Sequence, residues 1–460
     1  MAARDVGDAL EAAGVAVRAA GDGDEVAGVR PRWVALPESA EEIAAVMRVC
    51  ATHDLAAVAT GGGTKLHWGA PPDRCDVLVD LCCMNRPPEH AAGDLVVRAQ
   101  AGVTVEALAR TLAEGGQELA LDVPVPGTTV GGLLATGIAG PRRFRHGTAR
   151  DLLIGVTVVL ADGTIAKSGG KVVKNVAGYD LGKLFTGSYG TLGIIADATF
   201  RLHPLPAARA WVTATVERPV TNTYGTWTNE DGLTFETLTT DLAGSLATMV
   251  PAVTESPLEP SAVEMDWPDA EGPCTVAVLV EGAAAAERAK ALCALMGGAL
   301  SDVQVTEEPP PWWGRLPEPP APDGPPGTLG EGDRDSDGGE ILLEVRNTPS
   351  HLTDSFVGPL TAAHEAGVRA AVRGSLASHV FHVALPPGTE PRRVAAFTGG
   401  LRAHMEADGD GRVVVLAAPQ EAARRLDRWG HVGALPLMRR VKERFDPDRR
   451  LSPGRFLGGI

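Results

Sequence analysis

Cysteine pairs at metal-ligand spacing, clustered basic residues, aromatics and long apolar runs are all missing or scarce in this chain. Cys50, Cys75, Cys82, Cys83, Cys274 and Cys293 form no CxxC motif. Neither a zinc site nor an iron–sulfur cluster is therefore written locally, and any such centre belongs to a partner. The apolar settings of these cysteines predict buried, reduced thiols in a cytosolic compartment. The formal net charge of −16 excludes general binding to nucleic acid, which needs clustered Lys and Arg. No run approaches the roughly 20 apolar residues of a spanning helix, and the opening "MAARDVGDALEAAG" is acidic where a leader would be basic. These absences predict a cytoplasmic chain with no direct membrane insertion, peripheral to a membrane only through other subunits. Aromatics make up 4% of 460 residues, which leaves the core to Ala, Val and Leu.

What is present divides along the chain. Residues 1–205 alternate helix and strand signals. "LPESAEEIAAVMRVCATHDL" carries a capping box, Ser39 to Glu42, ahead of Ile43, Val46, Met47 and Cys50 at helical spacing. "DVLVDL" and "DLVVRAQAG" read as strands, "VEALARTLAEGG" as a helix stopped by Gly115 and Gly116, and "LLIGVTVVLADGTIAKSGG" as a hairpin turning at Asp162-Gly163. Residues 206–430 read as an antiparallel sheet with helices on one face. Within them residues 307–339, dense in Pro, Gly and Asp, read as a mostly mobile insertion. Residues 431–460 form a C-terminal helix and tail. The class is α+β.

Glycine is concentrated in particular places. "TGGGTKL", residues 60–66, follows an apolar run. It is not a dinucleotide fingerprint, because Leu66 stands where the third glycine belongs, and no G-x-x-x-x-G-K-[ST] loop occurs either. A nest of backbone N–H groups for an anion and a plain flexible loop both remain open for it. A second segment, "PVPGTTVGGLLATGIAGPRR", surrounds a short apolar helix, and a third, "GSYGTLGII", leads into a strand. Three such segments attached to regular elements point to one extended ligand touched by backbone in several places, and a dinucleotide has that shape.

The segments "GGGTKL", "PGTTVGGLLATGIAGPRRFRHGTARDLLIGVTVVLADGTI" and "GGKVVKNVAGYDLGKLFTGSYGTLGIIADATFRLHPLP" resemble FAD-binding oxidoreductases of the vanillyl-alcohol oxidase and p-cresol methylhydroxylase (PCMH) type. Within that group the chain is similar to the FAD-binding E subunits of bacterial glycolate oxidases. The resemblance is dense over 36–206 and returns at "FDPDRRLSPGRF". It implies a PCMH-type FAD-binding domain of two α/β subdomains over 1–205, a cap domain of antiparallel sheet plus helices over 206–430, and a tail, 431–460, that returns to the FAD domain. It also implies that Thr60, Gly61, Gly62, Gly63, Thr64 and Lys65 hold the FAD pyrophosphate. Pro126, Gly127, Thr128, Gly131, Gly132, Ala135, Thr136, Gly137 and Gly140 would line adenosine and flavin, and Gly190, Gly193, Ile194 and Ile195 would close over the dinucleotide. The first loop has no His before His67, so FAD is expected to be non-covalent.

The resemblance further implies glycolate oxidation to glyoxylate, with a catalytic flavoprotein sister subunit and an iron–sulfur subunit as partners. A self-sufficient oxidoreductase of another small hydroxy acid or alcohol, and a non-catalytic flavoprotein scaffold, stay open beside it. Oxidising a 2-hydroxy acid needs a base and a cation for the carboxylate. Arg142, Arg143 and Arg145 of "GPRRFRHG" are the cationic candidates. In "GSLASHVFHVAL", His379 and His382 stand three apart, which on a strand puts them on opposite faces. No residue stands out as the catalytic base and no metal ligands are expected. Tyr179 and Asp180 fit structural roles, Asp180 as a helix cap, and Trp312-Trp313 an anchor for the insertion or a partner.

Overall fold

The computed structural model describes residues 3–170, 180–216, 223–228, 234–239, 241–269, 272–321, 339–407 and 411–460. Tyr179 and residues 322–338 of the insertion therefore lie outside the described residues. The chain separates into two units: Met1–Ala139, His146–Leu205 and His431–Ile460 form the first, and Gly140–Arg145 with Pro206–Gly430 the second.

Among the described residues the first unit holds two larger sheets and a two-stranded pair, Gln117–Glu118 with His203–Pro204. Four strands lie in the order Ala16–Ala19, Trp33–Leu36, Val77–Asp80, Ala57–Thr60, the last three parallel. The near-continuous apolar runs of Val77–Asp80 and Ala57–Thr60 fit strands covered on both faces. Helix Ala40–His53 buries Ile43, Ala44, Val46, Met47 and Cys50, the stripe its 3.6-residue period dictates. Ser39 Oγ accepts from Glu42 N, but the Glu42 carboxylate takes the Glu38 N–H, so the box is open on its second side. An antiparallel sheet of five strands runs Glu89–Ala91, Val96–Gln100, Ile194–Arg201, Leu153–Val159, Ile165–Gly169.

The C-terminal residues tie into the same unit. Ala57 N donates to Arg450 O (2.7 Å) and Ser452 N to Ala57 O (2.9 Å), beside the strand that feeds the triple glycine. Lys442 is buried and donates to Asp446 Oδ2 (2.6 Å), Thr191 O and Leu451 O (both 2.8 Å). Asp446, fully buried, also accepts from the backbone of Arg450 and Leu451, so neither charge lacks a partner.

The second unit is an eight-stranded antiparallel sheet in the order Gln304–Thr306, Arg209–Val216, Cys274–Glu281, Ala262–Trp267, Ala371–Ser375, Val380–Leu385, Ile341–Arg346, Arg412–Ala417. Strand alternation gives it two faces of different chemistry. One carries Val263, Met265, Trp267, Val276, Val278, Leu343, Phe381 and Val383, packed with Phe356 and Leu360 of helix Asp354–Ala366 and Phe397 and Leu401 of helix Pro391–Met405. The other carries the polar members of the same strands, described below.

Three readings from the sequence need correction. Asp180 does not cap the short helix Gly182–Phe185 with its side chain; its carboxylate pairs with Lys183 (3.2 Å), and Gly182 N finds Ser168 Oγ instead. Cys50, Cys75 and Cys274 are buried, but Cys82 is exposed and Cys83 and Cys293 half-buried, because Cys82 and Cys83 lie on a short 3-10 turn whose inward position goes to Leu81. Residues 307–321 are not loose. Trp313 packs edge-on against Trp211, and Arg373 Nη1 and Arg369 Nη1 donate to the carbonyls of Leu316 (2.6 Å) and Ala321 (3.1 Å). Proline leaves those carbonyls without helical or sheet partners, and Arg373 of the sheet and Arg369 just ahead of its strand take them.

Candidate functional site

The triple glycine leaves the end of strand Ala57–Thr60 and meets the second glycine segment closely. A Cβ on Gly61 would stand 2.2 Å from Thr129 Oγ1, and one on Gly62 would stand 2.3 Å from the Gly127 carbonyl oxygen. Glycine is demanded at both positions by loop-on-loop packing. Gly63 differs, with φ +70° and nothing within 4 Å of the place a Cβ would occupy, so its backbone faces open space. Lys65, 8% exposed, turns inward: its ammonium donates to Thr128 Oγ1 (2.6 Å) and Thr64 Oγ1 (3.0 Å), joining the two segments. Burial pushes it down to about 8 from 10.5, against a smaller upward pull from Glu106.

Helix Val130–Thr136 is capped by Thr129, whose Oγ1 accepts from Gly132 N, and ends at Gly137 in the left-handed region. The third segment is bound to it by backbone: Gly187 N donates to Leu134 O (2.8 Å) and Tyr189 N to Ala135 O (2.9 Å). One cavity results. Val58 through Leu66, Thr129, Gly132, Ala135, Thr136, Tyr189 and Arg455 line it.

The remaining sequence candidates are placed as follows. Pro126 is exposed, Gly127 N donates to Glu106 Oε1 (2.9 Å), and Thr128 is buried behind Lys65. Gly131 packs on Ala101, and Gly140 falls in the second unit. Gly190 lies beside Ser452 and Gly193 beside Phe185, while Ile194 and Ile195 are buried strand residues paired with Val159 and Val158. Those two isoleucines are not among the lining residues of the cavity. Thr129, Tyr189 and Arg455 line it without having been singled out. Arg455 sits in "SPGRF", which the resemblance covers, and Tyr189 sits between two glycines of the third segment.

A second concentration of polar groups lies on the other face of the eight-stranded sheet. Asp266, Arg373, His382 and Glu344 stand directly opposite one another on four adjacent strands. Arg373 Nε donates to Asp266 (2.7 Å), and Arg373 lies 6.0 Å from the Trp312 ring centroid. Burial raises Asp266 despite that arginine. His382 Nε2 is 3.7 Å from Glu344, without a hydrogen bond, and burial pushes it down to about 4, so it is neutral near pH 7. Burial also pushes Glu344 upward, but Arg346, His382 and Arg143 together hold it below its ordinary value.

The three arginines separate here. Arg142 reaches Glu281 (3.6 Å) beside Arg209 (2.9 Å), and Arg145 pairs with Glu259 (3.2 Å) in an exposed position. Arg143 is lowered by burial, with Glu344 and Glu264 opposing that shift, and its Nε donates to Gly140 O (3.2 Å). His379 lies outside strand Val380–Leu385, at φ +53°, so strand parity does not govern it. Sequence reading missed Glu264, Asp266, Glu344 and Arg373. The signal available was charges spaced by two in strand-like runs, Glu264 and Asp266 in "AVEMDW" and Glu344 and Arg346 in "ILLEVR", with Arg373 alone in "AVRGS". Among the described residues no group of three or more His, Cys, Asp or Glu could hold a metal, and no helix is long and apolar enough to cross a membrane.

Comparison with known proteins fits this geometry. Residues 31–169 match the FAD binding domain family. The chain is 37% identical over 182 residues to D-lactate dehydrogenase [cytochrome] 1, mitochondrial, of Saccharomyces cerevisiae, which covers 39% of this chain and 31% of that protein. It is 35% identical over 188 residues to glycolate oxidase subunit GlcD of Bacillus subtilis (41% and 40%) and 36% identical over 177 residues to D-2-hydroxyglutarate dehydrogenase of Xanthomonas citri (38% and 38%). The matched stretch thus spans only about a third to two fifths of these relatives. Among solved structures, p-cresol methylhydroxylase with substrate bound superposes with a TM-score of 0.70 at 15% identity, covering 98% of this chain and 96% of that one. The 4-ethylphenol oxidase of Gulosibacter chungangensis gives 0.65 at 17% identity, covering 99% and 97%. The match over residues 31–169 is to an FAD binding domain, and the fold is that of p-cresol methylhydroxylase.

Proposed function

We propose that this chain is the FAD-binding subunit of an oxidoreductase for a small 2-hydroxy acid, with glycolate to glyoxylate as its reaction. The observation that carries the reading is the meeting of three glycine segments round one cavity within an FAD binding domain. The names of the relatives support the substrate class, since D-lactate, glycolate and D-2-hydroxyglutarate each place a hydroxyl beside a carboxylate. The cavity fits the cofactor: Gly63 presents open backbone and Lys65 a buried positive charge. Bound FAD supplies the acceptor for the hydride. Non-covalent attachment is supported by a lining that includes no His or Cys.

In the second unit, Arg143 is suited to a carboxylate, and neutral His382 lies beside Glu344. An iron–sulfur subunit and a flavoprotein sister subunit complete the proposed complex. A second reading, a flavoprotein that organises its partners without oxidising substrate itself, draws on the engagement of Arg142 and Arg373 with Glu281 and Asp266.

The test is the absorbance of the purified chain under anaerobic conditions before and after glycolate, D-lactate or D-2-hydroxyglutarate. Bleaching of a flavin band by one of them is the expected result. A band that stays unchanged with all three moves oxidation to a partner, and a folded chain that takes up no FAD removes the flavin reading.

A further inference from the structure

We infer that the five-stranded sheet and the start of helix Ala40–His53 enclose a second small-molecule site, one that takes an organic acid by its carboxylate or phosphate group. The inference goes beyond the flavin reading and does not depend on it.

The site is a cavity of about 310 Å³, at the small end of the range of about 300–1,000 Å³ that holds organic ligands. It lies within the first unit and shares no lining residue with the cavity of the glycine loops. Its floor follows from strand register. Gln100, Asp197, Thr157 and Lys167 stand directly opposite one another on four adjacent strands, and all four line it. Ser39, Ala40 and Glu41 line it from the helix.

Some of the lining charge is already matched. Arg98 places Nε and Nη2 on Asp197 (2.9 and 2.8 Å) and Nη1 on Glu89 (3.3 Å), so this arginine and Asp197 satisfy each other. Gln100 accepts from Arg86 N (3.0 Å) and donates to the Glu38 carbonyl (3.4 Å). The groups left without a partner among the described residues are mostly donors. Thr157 is 5% exposed, yet its hydroxyl makes no hydrogen bond. The Lys167 ammonium and the Arg86 guanidinium have no carboxylate in ion-pair range. The Ala40 and Glu41 N–H groups open the helix, where no intrahelical acceptor reaches them.

Against these donors stands the exposed Glu41 carboxylate of the first helical turn. Two unmatched cations, a helix start and a buried hydroxyl outweigh that one acid, so the cavity favours a negative ligand. A buried hydroxyl left unpaired is costly, and an anionic oxygen between Thr157 and Lys167 would relieve it. Met84, Pro87 and Ile165 add an apolar wall that an inorganic ion would leave uncovered, which makes the ligand organic.

The experiment is calorimetric titration of the full-length chain at low salt, saturated with FAD to keep anions out of the glycine-loop cavity. Succinate and glycerol 3-phosphate are the organic probes, inorganic phosphate is the bare oxyanion, and putrescine is the cationic control. One of the two organic acids should bind at a single site per chain, about tenfold or more tighter than inorganic phosphate, with no binding of putrescine. Thr157→Val, close in volume but lacking the hydroxyl, and Lys167→Met should each weaken that binding about tenfold or more. Lys290→Met, at an exposed lysine of the second unit, should leave it unchanged. Tighter succinate assigns the site to a carboxylate, and tighter glycerol 3-phosphate assigns it to a phosphate ester. Four results overturn the proposal: no single-site binding of either organic acid, equal binding of inorganic phosphate, binding of putrescine in their place, or wild-type affinity in both Thr157→Val and Lys167→Met. None of them touches the flavin reading. A folded chain that takes up no FAD removes that reading alone, and the same variants then test this site without FAD.

Discussion

The glycine loops of the first unit and the polar sheet face of the second bury charge in opposite ways. In the loops the lysine that turns inside, Lys65, has only hydroxyls within hydrogen-bond reach of its ammonium among the described residues. On the sheet face, charges are matched across adjacent strands, Arg373 on Asp266 and Arg142 with Arg209 on Glu281. An uncompensated charge is waiting for a ligand of opposite sign, whereas a matched row is complete by itself. By that contrast Arg143, whose Nε meets the backbone carbonyl of Gly140, is the member of the second unit that most resembles Lys65.

Substitutions should break this contrast in order of how much charge they strand. Arg373→Met would leave Asp266 buried without its partner and free the Leu316 carbonyl. It should cost about 3–5 kcal/mol in denaturant unfolding, and a loss below about 1 kcal/mol would mean the row is not a framework. Gly62→Val should cost about 1–3 kcal/mol by overpacking and abolish FAD uptake, because its Cβ would meet the Gly127 carbonyl. Stoichiometric flavin in that variant would detach the loop from the site.

The two regions should also report at opposite ends of the pH scale. Lys65 falls from 10.5 unfolded to about 8 folded, so the unfolded chain holds more protons between those values. Apoprotein stability should rise with pH across that window, and Lys65→Met should remove the rise. His382 falls from 6.5 to about 4, so stability should be lost as pH drops through that window, and His382→Gln should flatten the loss. Melting curves at stepped pH read both. Smallest of all, Arg145→Ala, which breaks an exposed pair with Glu259, should stay within about 0.5 kcal/mol of wild type. It should leave any substrate KM unchanged, in contrast to Arg143→Met.

Some of this was legible from residue order and some was not. Ile43, Val46, Met47 and Cys50 announce their helix because a 3.6-residue period needs no partner to be seen. The Asp162-Gly163 turn is equally plain, since Gly163 takes the positive φ that a tight hairpin requires. The glycine segments were visible for the same reason, as each breaks the local pattern. Residues 307–321 were misread because composition says only that Pro-rich backbone cannot form a ladder, not that distant arginines will take its carbonyls.

By itself, then, the sequence determined the local periods, the turns and the places where side chains had to be absent, because these follow from backbone sterics within a few residues. Only the tertiary structure decided why they had to be absent. Gly61 and Gly62 answer to Thr129 and Gly127, far along the chain, and Lys65 is buried because Thr128 meets it there. The same holds for Asp266, Arg373, His382 and Glu344, whose alignment comes from strand register. Burial and pairing between distant segments depend on three-dimensional packing, and a linear order of residues does not contain that.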